Sequence, residues 1–348
     1  MEVRNNYLYD IYVFTHNVLP HLYQRVCKRP QSRNKGKSMR KTKLKLLPAV
    51  MALGVTQSIS VAQFLGPQQV NALPSSPADH RIHYGTGSFQ FGDLRLPKTS
   101  QRRPVAVVIH GGCWKSKHGD LTADLENTSP LASALTNLGI ATWNIEYRQI
   151  DNAGGGWPGT FDDVANAIDY LRVLAKLYPL DLTRVVVIGH SAGGHLGTWA
   201  AARHRLSQES PLFSTNPLRV TGVVNLAGPG DLASFLPRES LACGDAVITN
   251  LMGGSPSEVP DRYRDGSPSN LLPIGVKQVL IVGAQDKTVP PEMVTKYGED
   301  ARNKGDDVAP TVVENVSHFE LIAPGSIAWP KVEEAVLLML KPRKQTPQ

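Results

Sequence analysis

The chain has 348 residues, 41% of them hydrophobic, and three cysteines. That is enough apolar material for one sizeable domain of ~250 residues or more and too few cysteines for a disulfide framework. The formal net charge of +7 would suggest nucleic acid or a membrane surface. However, 11 of the 37 basic and only 2 of the 30 acidic residues fall within residues 1–62, which leaves 26 and 28 afterwards, a net of −2. The remainder therefore carries no electrostatic footprint for nucleic acid, and no internal repeat is visible.

In chain order, residues 1–38 read as a disordered upstream extension. Met39-Arg-Lys-Thr-Lys-Leu-Lys45 followed by Leu46–Val55 has the basic and apolar regions of a secretory signal, and Ser60-Val61-Ala62 supplies small residues for cleavage. The apolar run is too short to span a bilayer. The expectation is export, secreted or periplasmic, from a start at Met39, with a mature end near Gln63 and no stable membrane anchor. If residues 1–38 are truly translated, the expectation is a cytoplasmic protein. Residues 63–79 read as a linker and 80–345 as the catalytic domain.

Within that domain, Arg81–Tyr84 and Phe89–Phe91 into Asp93–Leu96 suggest an antiparallel edge. Buried-strand runs follow at Val105–Ile109, Ile140–Glu146, Arg184–Ile188, Val220–Leu226, Gln278–Val282 and Thr311–Glu314, with helical spacing at Pro130–Gly139 and Phe161–Leu174. This alternation predicts an α/β fold, a mainly parallel sheet with helices on both faces. Between 231 and 273 the pattern breaks into Pro, Gly and Ser with short apolar stretches, read as a small cap.

The strand at 184–188 runs into Gly189-His190-Ser191-Ala192-Gly193. A serine at a sharp strand-to-helix turn needs a strained backbone, and glycines two residues to either side let the chain pass close to itself. The strand at 105–109 ends in His110-Gly111-Gly112-Cys113-Trp114. Together the elbow serine and the HGG loop resemble the α/β-hydrolase superfamily. The resemblance implies an oxyanion hole of backbone N–H groups from Gly112, Cys113 and Ala192, and a catalytic order of serine, acid, histidine. Cys113 replaces a glycine of that pattern. It keeps the amide but loses glycine's conformational freedom, and is read as a small, buried, unreactive side chain. Loss of Cys27 with the leader would leave Cys113 and Cys243, and an oxidising compartment would permit a bridge between them.

Asp286 follows the strand at 278–282 and lies on the rim where open α/β sheets place their sites. It is read as the acid, with Asp231 as a rival. His318 follows the strand at 311–314 and is read as the base that takes the Ser191 proton. His110, His190 and His195 lie inside the two motifs and are expected to bond loop backbone. The chain has no H-E-x-x-H and no C-x-x-C, so no metal is expected. Gly154-Gly155-Gly156 lacks the Lys-Ser/Thr ending of a phosphate loop and reads as a turn. Trp114, Trp157 and Phe319 flank the rim, either as an aromatic acceptor for the acyl group or as packing residues.

Phe91–Pro97, Trp143–Arg148, Gly154–Asp163 and Ser267–Pro273, added to the two motifs, resemble the esterase branch that includes kynurenine formamidase-like and bacterial feruloyl-esterase-like hydrolases. The likeness runs from about residue 80 to the C-terminus. It implies acyl transfer to water through an acyl-enzyme on Ser191, without a cofactor, on a small-molecule ester or amide. A carboxylic ester hydrolase is the primary expectation, with arylformamidase and small-peptidase variants of the same chemistry. A catalytically silent binding protein on the same fold is the non-enzymatic alternative.

Overall fold

The computed structural model describes residues 64–118 and 121–341. The leader, the signal-like segment and its cleavage site lie outside the described residues. The first described element is a short helix, α1 (Pro67–Asn71). Strands β1 (His80–His83), β2 (Phe91–Arg95) and β3 (Arg103–Ile109) follow, then a two-residue ladder of β4 (Lys117–His118) and β5 (Leu121–Thr122). Next come α2 (Ser129–Asn137), β6 (Ala141–Ile145), α3 (Gly159–Asp169), α4 (Leu171–Leu177), β7 (Leu180–His190) and α5 (Ala192–Ala202). After β8 (Gly222–Leu226), four short helices intervene: α6 (Leu232–Phe235), α7 (Glu239–Cys243), α8 (Val247–Met252) and α9 (Pro260–Gly266). The chain closes with β9 (Lys277–Gly283), α10 (Pro291–Asn303), β10 (Val308–Val313) and α11 (Trp329–Met339).

Eight strands form one sheet in the order β1-β2-β6-β3-β7-β8-β9-β10. From β6 to β10 every neighbouring pair is parallel, and β2 runs antiparallel to both β1 and β6. The Val- and Ile-rich runs in β3 and β7 are buried throughout, as strands covered on both faces by helices require. Their stiff β-branched side chains suit a pleated surface. Glycine at position 92 is dictated by packing, since a Cβ there would fall 2.7 Å from the Trp143 ring. The chain leaves β3 for β6 on one side and returns to β7 on the other. That reversal puts the ends of β3 and β7 at a switch point, where such sheets open a crevice.

Three sequence expectations change. Over residues 64–79 the expected linker is more than that: α1 buries Val70 completely, Leu65 N–H donates to the Glu320 carboxylate, and Ser76 N–H donates to Ser133 Oγ at 2.8 Å. The single helix expected over 161–174 is two, α3 and α4, parted at Tyr170. The segment 231–273 is helical. Its helices have only four to seven residues, too few to display an apolar stripe, and α7 and α8 each stop at a left-handed glycine, Gly244 and Gly253. Among the described residues, no helix is long and apolar enough to cross a membrane.

Candidate active site

Ser191 stands between β7 and α5 with φ 53° and ψ −120°. A side chain at positive φ is strained, and here the surrounding turn enforces it. A Cβ on Gly189 would come 2.0 Å from the Gly193 carbonyl oxygen, and one on Gly193 would come 2.2 Å from that of Ile109. Both positions are therefore closed to any other residue. The register pairs Ile109 with Gly189, so the loop after β3 lies directly against the elbow. Ser191 N–H donates to Leu226 O at 2.8 Å and its carbonyl accepts from His195 N–H at 3.1 Å, which fixes the turn.

Asp286 and His318 leave β9 and β10 at the same rim. His318 Nδ1 lies 2.6 Å from Asp286 Oδ2, and Asp286 Oδ1 accepts the N–H groups of Thr288 and Val289 at 2.9 Å each. The carboxylate is thus held at both oxygens. An imidazole bonded this way through Nδ1 presents Nε2 as its basic position. Ser191, Asp286 and His318 are all buried. His190 ties the elbow to His318, since its Nε2 donates to His318 O at 3.0 Å and the two rings lie 4.5 Å apart. Asp231 is engaged elsewhere: its Oδ1 accepts Ala233 N–H at 3.0 Å and Ser234 N–H at 3.3 Å and caps α6. That is the ordinary use of an aspartate at a helix start.

The loop after β3 takes three consecutive residues through positive φ: Gly112 at 109°, Cys113 at 51° and Trp114 at 54°. Left-handed backbone costs a non-glycine residue ~1–2 kcal/mol, so two of the three need outside support. Cys113 has it in a disulfide to Cys243 at the end of α7, with Cα atoms 5.9 Å apart. This corrects the reading of Cys113 as an inert buried thiol. Trp114 is 1% exposed and donates its indole N–H to His195 Nδ1 at 3.2 Å. Of the two readings it is a packing residue, its ring enclosed by His195 and Phe235. Trp157 and Phe319 are half-buried, the first edge-on to Phe161 and the second beside His190 and His318. Gly154 and Gly156 form the expected turn at φ 77° and 76°. A groove of about 560 Å³ adjoins the loop, lined by Lys115, Asp151, Asp245 and Asn250 among others.

Each motif histidine bonds a backbone carbonyl, His110 that of Gly111, His190 that of His318 and His195 that of Gly266. Their protonation differs with their neighbours. Burial lowers His195 to a pKa of about 4, and burial with the nearby His318 pushes His190 well below the usual imidazole range. Burial also opposes charge on His110, but Glu146 at 2.9 Å outweighs it and raises the pKa. Glu146 escaped the sequence reading as a site residue; its only signal was a carboxylate placed directly after a buried strand. No cluster of three or more potential metal ligands exists among the described residues.

Comparisons with known proteins speak to the fold and the family. The fold is similar to that of an esterase from Thermogutta terrifontis solved with propionate, with a TM-score of 0.60 and 20% identity over 78% of this chain and 98% of that one. At that identity the likeness speaks to fold, and the fold is that of the α/β-hydrolases. Esterase LipC of Mycobacterium tuberculosis is 26% identical over 226 residues, 64% of this chain and 54% of that protein. Kynurenine formamidase of Drosophila melanogaster is 23% identical over 255 residues, 72% of this chain and 77% of that protein. The chain spans about half or less of the length of the mycobacterial esterases that it matches. The BD-FAE family model matches residues 93–298, from β2 through both motifs and past Asp286 into α10, and the chain belongs to that family.

Proposed function

We propose that the protein is a serine hydrolase that cleaves a carboxylic ester of a small molecule through an acyl-enzyme on Ser191. The observation that carries this reading is the 2.6 Å His318–Asp286 pair on the rim that also holds a serine at positive φ. Ser191 Oγ attacks the ester carbonyl while His318 Nε2 takes its proton. Asp286 holds the imidazole tautomer and stabilises the imidazolium. The negative charge on the carbonyl oxygen is met by the N–H groups of Gly112, Cys113 and Ala192, the last at the start of α5, where unpaired donors and the helix dipole converge. Collapse breaks the ester C–O bond, and the alcohol leaves with the proton from His318. Water then attacks the acyl-enzyme with His318 as base, releasing the acid and restoring Ser191. The Cys113–Cys243 bridge supports the export reading, because disulfides persist in oxidising compartments.

The test is labelling with a fluorophosphonate probe, followed by turnover of p-nitrophenyl esters of graded chain length alongside N-formylkynurenine. Ser191→Ala should lose labelling and fall to background turnover, retaining only the residual ~10³–10⁴-fold over water that binding and oxyanion donors supply. Unchanged turnover in that variant would overturn the assignment. The formamide substrate addresses the similarity to kynurenine formamidase: faster turnover of it than of every ester would move the activity to arylformamidase. Failure of the wild type to label or to turn over any substrate would favour a silent binding protein. N-terminal sequencing of protein from the native cell should find an end near Gln63 outside the cytoplasm, and an intact Met1 in the cytosol would refute export.

A further inference from the structure

Buried behind the oxyanion loop is a charged pair that the reaction above does not use. His110 and Glu146 sit at the ends of the neighbouring parallel strands β3 and β6, and both are buried. We propose that Glu146 is a positioning residue for the reaction at Ser191, acting through His110 to hold the Gly111–Gly112 peptide with its N–H turned toward the oxyanion. The inference rests on the reading of Ser191 as the acyl acceptor.

Three contacts make the argument. His110 Nδ1 lies 2.8 Å from Gly111 O, and because a carbonyl only accepts, Nδ1 carries a proton. In a trans peptide the carbonyl and the following N–H point in opposite directions. Pinning Gly111 O toward His110 therefore sets the direction of the Gly112 N–H. The next peptide is fixed in the same manner, since Gly112 O accepts Lys115 N–H at 2.9 Å, which orients the N–H of Cys113.

The other face of the imidazole belongs to Glu146. Its Oε1 lies 2.9 Å from His110 Nε2 and accepts Tyr147 N–H at 3.0 Å, while Oε2 accepts Leu125 N–H at 3.1 Å. Glu146 raises the His110 pKa against the opposing effect of burial, and each ring nitrogen faces an oxygen, so both nitrogens carry a proton. His110 is then an imidazolium, with its positive charge at the back of the loop and its negative partner farther off. Tyr147 completes the clamp by stacking on the imidazole at 4.4 Å and donating its hydroxyl to His110 O at 3.0 Å. A fixed positive charge behind a donor array favours the state in which the substrate oxygen becomes negative.

The test is a double-mutant cycle on kcat and KM, with rates counted per fluorophosphonate-titrated site so that misfolded protein does not enter. Glu146→Gln and His110→Leu should each lower kcat by roughly 10²-fold, the size of a misplaced catalytic group, with KM changed less than about threefold. The double variant should be no slower than His110→Leu, because both act through one contact path. His110→Asn, whose amide reaches the place of Nδ1, should recover part of the loss. Should the variants fail to fold, nitrogen NMR on the wild type decides: one imidazole with both nitrogens protonated at neutral pH, absent in spectra of protein whose His110 is selectively unlabelled, is expected. Wild-type kcat in the single variants, additive losses in the double, or a neutral His110 ring would each overturn the inference. A wild type that takes no label at Ser191 would instead overturn the reading of the site.

Discussion

Asp286 and Asp231 each follow a buried strand, and what separates them is where their oxygens go. Asp286 gives one oxygen to His318 and the other to two backbone N–H groups, whereas Asp231 spends its side chain capping α6. Asp286→Asn should lower kcat by roughly 10⁴, the size that a wrong histidine tautomer costs in serine-protease triads. Asp231→Asn should leave kcat near wild type, since asparagine caps a helix about as well. Steady-state kinetics on the two variants checks both, and the reverse ranking would move the acid to Asp231. At this scale the placement of Ser191, Asp286 and His318 was legible because each follows a recognisable strand. Asp231 was not separable from Asp286 in the sequence, because capping depends on the backbone just downstream and not on the strand. For Trp114 the sequence leaves lining and packing both open for a related reason: its indole turns inward to His195, and nothing in the HGG-C-W string specifies that direction.

Among elements, a covalent bond ties the loop after β3 to α7. Cys113 and Cys243 are 130 residues apart, and closing so long a loop removes much of the unfolded chain's freedom. Cys243→Ser should cost about 2–5 kcal/mol of unfolding free energy. It should also lower kcat, because Cys113 at φ 51° loses the support that keeps its amide aimed. Urea unfolding with and without reductant checks this: reductant should bring the wild type down to the variant and leave the variant unmoved. Equal stability of all four samples would contradict it. The pairing was not readable from the chain, since two cysteines define a possible bond and only the fold of the short helices brings them together. α1 was missed because a five-residue polar helix with one buried valine carries no periodicity.

For the whole molecule, the buried imidazoles weaken stability in acid. His195 has a folded pKa of about 4 against about 6.5 when unfolded, so the unfolded chain binds the extra proton between those values. Its contribution is complete above pH ~6.5 and is lost as pH falls toward ~4, with a ceiling of roughly 3 kcal/mol. His190 is shifted in the same direction and adds to the loss. His110 is shifted upward, so its contribution is present below the unfolded value and fades as pH rises through its folded one. The midpoint of thermal unfolding should therefore fall steadily from about pH 6.5 to 4.5. A midpoint constant over that interval would contradict the burial of neutral histidines.

The sheet is open at both sides, and its two margins are dissimilar. β10 is the more inviting, a six-residue strand with Val312 exposed. Mid-strand it carries Pro310, paired in register with Leu280. A proline has no N–H, so a second strand arriving from outside meets an interrupted ladder at that point. The opposite margin, β1, has only four residues and an exposed Arg81 bound to Asp93. Each border thus discourages strand-to-strand recruitment by different means. Restoring the missing donor with Pro310→Val should let chains template one another along that flank. Concentrated solutions of the variant would then scatter more light on warming than the parent, while kcat, set at the far ends of these strands, stays the same.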